Sequence, residues 1–270
     1  MIRLIKIEFL KLSKLRAVWI LIGLYLAALI GVSLSGKLLL DYLTGKGVEF
    51  NGLNPGMIPI YDFNDIWQNL AFIAGYFKIF PGLILIISVS NEFSYQTHRQ
   101  NIIDGLSRTE FFLSKLSFAG FLAIVSAVFL LCIGLVLGFR YSPVTDFANV
   151  TEQMFFIPVH ALQFFTYFLF ATWLIMVIRK AAITIVLLLL YTVVLEPIAV
   201  GLLYSGLFNL PHIADLLPLQ AISNLIPMPF GKYALQYTQD FVGTRELITA
   251  LLWAGLLTGG IFYILRKRDF

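Results

Sequence analysis

Charge is scarce in this 270-residue chain: Asp, Glu, Lys and Arg make up 13% of the residues, whereas hydrophobic types make up 59%. A soluble globule of this length needs more polar surface to cover its core. The mean hydropathy of +0.88 therefore indicates an integral membrane protein. Alternating strands of about ten residues are not seen, whereas long runs such as AAITIVLLLLYTVVL are, so the predicted spans are helices and not strands of a barrel.

Cysteine is rare as well, and the short motifs of several enzyme classes are missing. The one cysteine, Cys132, lies within an apolar stretch, so the chain has no internal disulfide framework. Neither a G-x-x-x-x-G-K-[ST] loop for ATP nor a G-x-S-x-G elbow for a serine hydrolase occurs. His98, His160 and His212 lack metal-ligand spacing and are interpreted as interfacial or loop residues. We therefore predict no ATPase, serine hydrolase or metal-enzyme activity in this chain and no cofactor or metal held by it.

Six apolar stretches are long enough to cross the hydrocarbon core, which takes about 20 residues of helix. They cover about 17–35, 70–90, 117–138, 156–178, 181–204 and 247–265. We therefore predict an all-α integral membrane protein with a single transmembrane domain over 1–270. The first stretch also resembles a secretory signal with a small-residue cleavage site near Ser33 to Gly36, but it is long for a cleaved signal and five more stretches follow.

Basic residues near the ends of the stretches predict the orientation, because cytoplasmic loops carry an excess of Lys and Arg. Most of the 19 Lys and Arg residues fall on one side if the N-terminus is cytoplasmic. Those residues are Arg3, Lys6, Lys11, Lys14, Arg16, Arg99, Arg108, Lys115, Arg179, Lys180, Arg266, Lys267 and Arg268. We predict a multi-pass protein of the cell inner (cytoplasmic) membrane with both termini in the cytoplasm. The net charge of +4 then reflects topology and attraction to anionic lipids, not nucleic-acid binding.

Residues 1–16 form a basic segment ahead of the first stretch. At about 100° per residue, four apolar side chains share one helical face and four basic ones gather opposite. The apolar ones are Ile2, Ile5, Phe9 and Leu12, and the basic ones are Arg3, Lys6, Lys11 and Lys14. Two interpretations stay open: an amphipathic interfacial helix on the inner leaflet, or a cytoplasmic extension of the first span.

A polar island at 91–115, NEFSYQTHRQNIIDGLSRTEFFLSK, separates the second and third stretches. Glu92 is predicted to end the second span, and a short surface helix follows until the glycine stop at Gly105. Ser107 and Glu110 match the S-x-x-E capping box, which predicts a new helix that continues into the third span. Helix, glycine and capped helix make a rigid elbow. Taken as structure alone, the island is a cytoplasmic turn.

The outer segment 205–246 is apolar but interrupted by four prolines. They are Pro211, Pro218, Pro227 and Pro229. Its pieces are too short to span, so we predict a re-entrant hairpin or interfacial helices whose ends are buried by protein. In the fifth stretch we expect a kink at Glu196 and Pro197 and a polar junction with this segment, where Glu196 serves either the substrate route or a hydrogen-bond hub. Lys78 is expected to snorkel.

The chain resembles the permease subunits of ABC transporters of the second exporter type, the ABC-2 permeases. The resemblance rests on the polar island, where that family places an acidic span end, a Thr-x-Arg-like stretch, a Gly-Leu-Ser-Arg turn and a lysine opening the third span. The matching positions are Glu92, Thr97, Arg99, Gly105, Leu106, Ser107, Arg108 and Lys115. The N-terminal helix, the Glu196-Pro197 pair, the proline-interrupted hairpin and the basic C-terminus YILRKRDF support it.

The resemblance implies a half-transporter with six helices, which forms an export path as a dimer with an identical or sibling permease. Two copies of a separate P-loop ATPase subunit would bind ATP and Mg and dock on the cytoplasmic face. The coupling region would be 91–115, with the short helix around Glu92 to Asp104 seated in the ATPase. The implied coupling residues are Glu92, Tyr95, Thr97, Arg99, Asp104, Gly105, Ser107, Arg108 and Lys115.

Two alternative functions stay open on the residues alone. One is a proton-coupled secondary transporter, which would move its cargo without an ATPase. The other is an intramembrane lipid-modifying enzyme with Glu196 and a histidine as acid and base, which requires a cluster of polar residues at one depth. The cargo itself is open among lipids, peptides, antibiotics and polysaccharides.

Overall fold

The computed structural model of the protein describes residues 2–48, 56, 58–95, 107–205, 208–229 and 239–267. The helices in chain order are α1 (Ile2–Ser13), α2 (Arg16–Gly45), α3 (Phe63–Tyr76), α4 (Ile79–Ser94), α5 (Arg108–Tyr141), α6 (Phe147–Glu152), α7 (Phe156–Ile178), α8 (Ala181–Leu190), α9 (Glu196–Tyr204), α10 (Pro211–Ala214), α11 (Pro218–Ser223) and α12 (Thr244–Lys267). A π-helical segment, Tyr191–Leu195, joins α8 to α9. The predicted all-α class is confirmed for this part of the chain.

Five helical segments are long and apolar enough to cross a membrane, and the bent pair α3 and α4 makes a sixth if it is one span. The five are Arg16–Gly45, Thr109–Tyr141, Phe147–Ile178, Ala181–Tyr204 and Thr244–Lys267. Each predicted stretch lies within one of these six segments. Helices extend beyond the apolar stretches, since α2 continues to Gly45 although its stretch ends near residue 35. This set of helices is compatible with a multi-pass membrane protein.

The second span is divided into two helices. The chain bends by 47° between α3 and α4, at a short break at Phe77 and Lys78. Pro81 accounts for the break, because its nitrogen has no hydrogen to donate to the Phe77 carbonyl and its ring crowds that group. The predicted stretch 70–90 therefore covers the end of one helix and most of another.

The fifth span contains the π-helical segment where the sequence predicts a kink. Pro197 cannot donate to the carbonyl of Val193, so the regular hydrogen-bond pattern is interrupted there. The Glu196 N–H instead donates to the Tyr191 carbonyl, five residues back. The wider π turn accommodates the missing hydrogen bond, and the helix continues through it.

The centre of the bundle is α7, which packs against α3, α4, α5, α8 and α12. Its side chains Phe164, Tyr167 and Phe168 are fully buried. By contrast, α2, the α8 to α9 segment and α12 bury less than a quarter of the residues in their apolar parts, and they leave many large apolar side chains exposed. Lipid tails are as apolar as these exposed side chains, so such faces suit contact with the bilayer.

Two glycines let α3 and α5 approach closely. Gly134 and Gly138 lie four residues apart on α5, against the rings of Trp67 and Phe63, which are four apart on α3. A Cβ at either glycine would overlap the facing ring. Small residues at this spacing are typical of close helix contacts in membranes.

We expect Gly134→Ala to lower the stability of the protein by about 1–3 kcal/mol, because the added methyl group would displace the Trp67 ring. The matched control is Gly120→Ala on the same helix, where the added methyl group would lie 3.8 Å from the nearest atom of Phe165. That control should be neutral or stabilising by up to about 1 kcal/mol, since alanine favours helix. Thermal unfolding midpoints in one detergent test this, and equal midpoints would contradict it.

Candidate functional site

A buried group of charged side chains joins α1, α4 and α5. Glu8 of α1 is 2% exposed, and Lys115 of α5 is 1% exposed. The Lys115 Nζ lies 2.8 Å from Glu8 Oε2 and 2.8 Å from Glu92 Oε2, at the end of α4. One ammonium group therefore bridges two carboxylates from two other helices.

Three more side chains complete this group, which we call the Glu8 cluster. It consists of Glu8, Lys11, Ser88, Glu92, Ser114 and Lys115. The Lys11 Nζ lies 2.9 Å from Glu92 Oε1. The hydroxyl groups of Ser88 and Ser114 donate to the two Glu8 oxygens at 2.9 Å and 3.1 Å. Two carboxylates thus face two ammonium groups, and such charges are tolerated in the interior because they are paired.

Helical spacing explains how three separate helices supply the cluster. Glu8 and Lys11 are three residues apart on α1, and Ser88 and Glu92 are four apart on α4, so each pair shares a face. Lys115 lies two turns into α5, whose start is fixed by the predicted capping box at Ser107. The Glu110 N–H donates to Ser107 Oγ at 3.1 Å, and the Ser107 N–H donates to Glu110 Oε2 at 2.8 Å.

The buried face of α1 differs from the predicted apolar face. Leu12 is buried as expected, but Phe9 is 48% exposed, and Glu8 occupies a buried position. The helix is oriented so that the Glu8 carboxylate meets Lys115. Sequence reasoning missed Glu8, although the sequence offered one signal: it is the one acidic residue within 1–16.

The electrostatics of the cluster keep Glu8 ionised. Burial alone would raise the pKa of its carboxyl group. The neighbouring ammonium groups of Lys115 and Lys11 and the hydrogen bonds from Lys115 and Ser88 outweigh that effect, so the pKa lies below its ordinary value of 4.5. At neutral pH the carboxylate is therefore charged and able to form its salt bridge.

We expect acid to weaken the attachment of α1. Because the folded-state pKa of Glu8 is depressed, its contribution to stability is fully present above pH 4.5 and is lost as the pH falls below that value toward the folded-state pKa. The thermal unfolding midpoint of the wild type should drop over this range more than that of Glu8→Gln. Equal acid sensitivity of the two proteins would contradict this assignment.

Several segments that carry basic residues meet at the end of the bundle where the Glu8 cluster lies. The Arg179 guanidinium, between α7 and α8, lies 5.2 Å from the centre of the Phe93 ring, next to Glu92. At the base of α5, Phe112 packs edge-on against Phe262 near the end of α12, with ring centres 5.5 Å apart. The ends of α1, α4, α7 and α12 and the start of α5 therefore lie together.

The predicted coupling residues divide into described and undescribed positions. Glu92 and Lys115 belong to the Glu8 cluster, and Ser107 caps α5. Tyr95, at the end of α4, is 76% exposed. Arg108 begins α5, and its side chain lies outside the described part of the structure. Thr97, Arg99, Asp104 and Gly105, with the predicted short helix and glycine stop, lie outside the described residues.

Glu196 forms the polar junction that the sequence predicts. Its side chain is buried, and Oε1 accepts the backbone N–H of Gln220 at 2.7 Å. Gln220 lies in the first turn of α11, where backbone N–H groups lack helical partners. Leu217, which precedes α11, has no side-chain acceptor, so Glu196 caps this helix from another part of the chain.

Two glutamine side chains bond to other described parts of the 205–246 segment. The Gln163 amide donates to the Ile222 carbonyl at 3.3 Å. The Gln68 amide donates to the Pro227 and Gln239 carbonyls, each at 3.1 Å. Backbone groups at membrane depth need such partners, because lipid offers none. The expectation that protein satisfies the ends of these short helices is thus met for the Ile222 carbonyl, in the last turn of α11.

Lys78 points into the protein, so the expectation that it snorkels is wrong. It is 6% exposed, its Nζ lies 3.4 Å from Ser223 Oγ on α11, and it stands 5.4 Å from the centre of the Tyr167 ring. The bend between α3 and α4 places the lysine at this inward position. The bent span and the span with the π-helical segment therefore each send an ionisable side chain to α11, Lys78 from the first and Glu196 from the second.

His160 is fully buried, which corrects its interpretation as an interfacial or loop residue. Its Nε2 lies 3.0 Å from Ser126 Oγ, which lies 2.5 Å from the Tyr25 hydroxyl, so three spans share one polar chain. His212, on α10, is exposed as expected, and His98 lies outside the described residues. Glu196 bonds to α11 and His160 to Ser126, so these two candidates for acid and base have separate hydrogen-bond partners.

Neither a scan against protein-family models nor a search of curated proteins gives a match to this chain. The resemblance to ABC-2 permeases is therefore a hypothesis that rests on the chain's own residues. Within the described residues, no group of three His, Cys, Asp or Glu side chains is arranged to hold a metal ion.

Proposed function

We propose that the chain is the membrane-spanning permease subunit of an ATP-driven ABC exporter. The observation that supports this most is the Glu8 cluster, in which Lys115 joins α4 and α5 to each other and to α1. These two helices flank 96–106, the segment that would receive the ATPase. Force on 96–106 would therefore act on the end of α4 and the start of α5, which Lys115 holds together.

The stiffness of this base follows from the chemistry of its contacts. Removing one partner of a buried ion pair typically costs about 3–5 kcal/mol, because the other charge is left uncompensated. The Ser107 capping box adds a fixed starting point for α5. A push on a surface segment reaches the spans only through such rigid joints, which is what a coupling mechanism requires.

The cluster also suggests how the coupling residues divide their roles. Because Glu92 and Lys115 are buried, they would hold the coupling segment instead of touching the ATPase. Tyr95 is exposed and free to contact a partner surface, as would be residues of 96–106. ATP and Mg would be bound by two copies of the separate P-loop ATPase subunit. A second permease, identical or sibling, would complete the path, and the direction would be export by resemblance.

In this proposal the end of the bundle with the Glu8 cluster faces the cytoplasm, and both termini lie there. Basic segments meet at this end, as the rule for cytoplasmic loops requires. The protein would lie in the cell inner membrane, with α1 as an interfacial helix at the inner leaflet. The 205–246 segment would be a re-entrant hairpin on the outer side.

Purification and labelling test this proposal. Purified from its native membrane, the chain should bring a P-loop ATPase with it, and transport in proteoliposomes should need both. In a Cys132→Ser background, Tyr95→Cys should react with an impermeant maleimide only from the cytoplasmic side. Phe147→Cys, 82% exposed at the opposite end, is the matched control and should react only from outside. Transport by the chain alone under a proton gradient, or the reverse labelling pattern, would refute the proposal.

We expect Gly105→Val to impair ATP-coupled transport while membrane insertion stays largely intact. The predicted helix stop needs a positive φ at this position, which a β-branched residue resists. The measurement is substrate-stimulated ATP hydrolysis and transport, normalised to the amount of inserted protein. Normal values for both activities would contradict the predicted elbow.

A further inference from the structure

A cavity of about 480 Å³ lies beside the π-helical segment. Its walls come from α7, the α8 and π-helical segments, α11 and α12. The contributing residues of α7 and α12 fall near the middle of those helices, at 170–174 and 253–257. In a chain that crosses the bilayer, the cavity therefore lies at the depth of the hydrocarbon.

The walls of the cavity are aromatic and aliphatic. The Phe170 ring lies 5.3 Å from Tyr191 and 6.3 Å from Trp173, measured between ring centres, so three rings form one wall. On α12, the Trp253 indole N–H donates to the Leu216 carbonyl at 2.9 Å and is not free for a ligand. None of the described lining residues is charged. Burying a polar ligand here would cost several kcal/mol for its unpaired groups, so the walls favour hydrocarbon.

The π-helical segment shapes this site. Tyr191 and Leu195, its first and last residues, both line the cavity. An inserted π turn of this kind is often found at functional sites, because it displaces side chains from their regular helical positions. The irregularity near Pro197 thus coincides with a preformed cavity.

The cavity opens sideways. Leu195 and Leu256 line it, yet they are 48% and 66% exposed, so they lie at its mouth. Leu257 is 5% exposed and lies on its floor. We propose that this cavity binds one acyl chain of a bilayer phospholipid, which enters from the hydrocarbon between the π-helical segment and α12. The site does not depend on the proposed export function.

Retention of lipid after detergent washing distinguishes this site from ordinary annular lipid. Wild-type protein purified from membranes should keep one phospholipid per chain by native mass spectrometry. Leu195→Trp, which fills the mouth, should lower this occupancy about tenfold. The matched control is Leu252→Trp on α12, 61% exposed and outside the lining, and it should retain the lipid. Unfolding midpoints equal to that of the wild type show that both variants are folded. If Leu195→Trp does not fold, Leu187→Trp replaces it as the variant that fills the cavity.

A second measurement locates the bound chain. In nanodiscs of phosphatidylethanolamine and phosphatidylglycerol, a phospholipid with a diazirine in its acyl chain should label the peptide that contains Trp253 and Leu256 in the wild type. Leu195→Trp should lose this label, and Leu252→Trp should keep it. Three results would overturn the proposal: no retained phospholipid in the wild type, equal retention by both variants, or a disulfide between Leu256→Cys side chains of two copies in place of lipid.

Discussion

Lys115→Met should destabilise the protein by about 3–5 kcal/mol and abolish ATP-coupled transport. The substitution leaves Glu8 and Glu92 buried without the ammonium group that bridges them. Lys11 alone cannot replace it, because its Nζ is 3.8 Å from Glu8 and the side chain is 39% exposed. Methionine keeps most of the side-chain volume, so the loss reports on charge and not on packing. Unfolding in one detergent measures stability, and reconstituted transport measures coupling.

Two further variants test whether the loss of stability comes from the unpaired buried charges. Lys11→Met should cost no more than about 1 kcal/mol, because its partly exposed pair contributes little and Glu92 keeps Lys115. The double variant Glu8→Gln with Lys115→Met leaves one carboxylate and one ammonium group, Glu92 and Lys11. It should be more stable than Lys115→Met alone, and that departure from additivity measures the ionic coupling.

The transport assay then tests whether the Lys115 bridge is needed for coupling. If the double variant regains stability but not ATP-coupled transport, the bridge between α4 and α5 is needed for coupling as well as for folding. A Lys115→Met protein as stable and as active as Lys11→Met would contradict both the role of the Glu8 cluster and the proposed mechanism.

Local features of the fold could be predicted from the sequence. Span positions follow from the length and hydropathy of each stretch, and these depend on neighbouring residues only. The Ser107 capping box was predictable for the same reason, since its two hydrogen bonds join residues three positions apart. The junction at Glu196 was predictable in kind, because a buried carboxylate needs a partner, although the sequence did not identify Gln220.

Contacts between distant residues could not be predicted in this way. Glu8 meets Ser88 and Lys115, which are 80 and 107 positions away along the chain. The helical pattern of 1–16 does not assign Glu8 to a partner, and only the position of Lys115 on α5 makes its buried orientation favourable. His160 was misplaced for the same reason, because Ser126 lies on another span. The inward position of Lys78 depends on the bend near Pro81, whose direction the sequence does not specify.

Glu196→Ala should loosen the 205–246 segment and destabilise the protein by about 1–3 kcal/mol. The alanine leaves the partly buried Gln220 N–H without its acceptor at the start of α11. Glu196→Gln keeps an acceptor oxygen of the same shape and should cost less. Amide hydrogen exchange of α11 measures the effect, and it should rise in Glu196→Ala well above both the wild type and Glu196→Gln. Equal exchange in the two variants would show that the cap does not hold this helix.

The same pair of variants decides between the two roles that the sequence leaves open for Glu196. A hydrogen-bond hub needs only an acceptor, so Glu196→Gln would then transport as the wild type does. A role in the substrate route needs the charge or the proton of the acid, so Glu196→Gln would change transport while α11 stays protected. The geometry favours the hub, because Oε1 is committed to the Gln220 N–H and the side chain is buried. We therefore expect transport to follow the exchange data, lost with alanine and kept with glutamine.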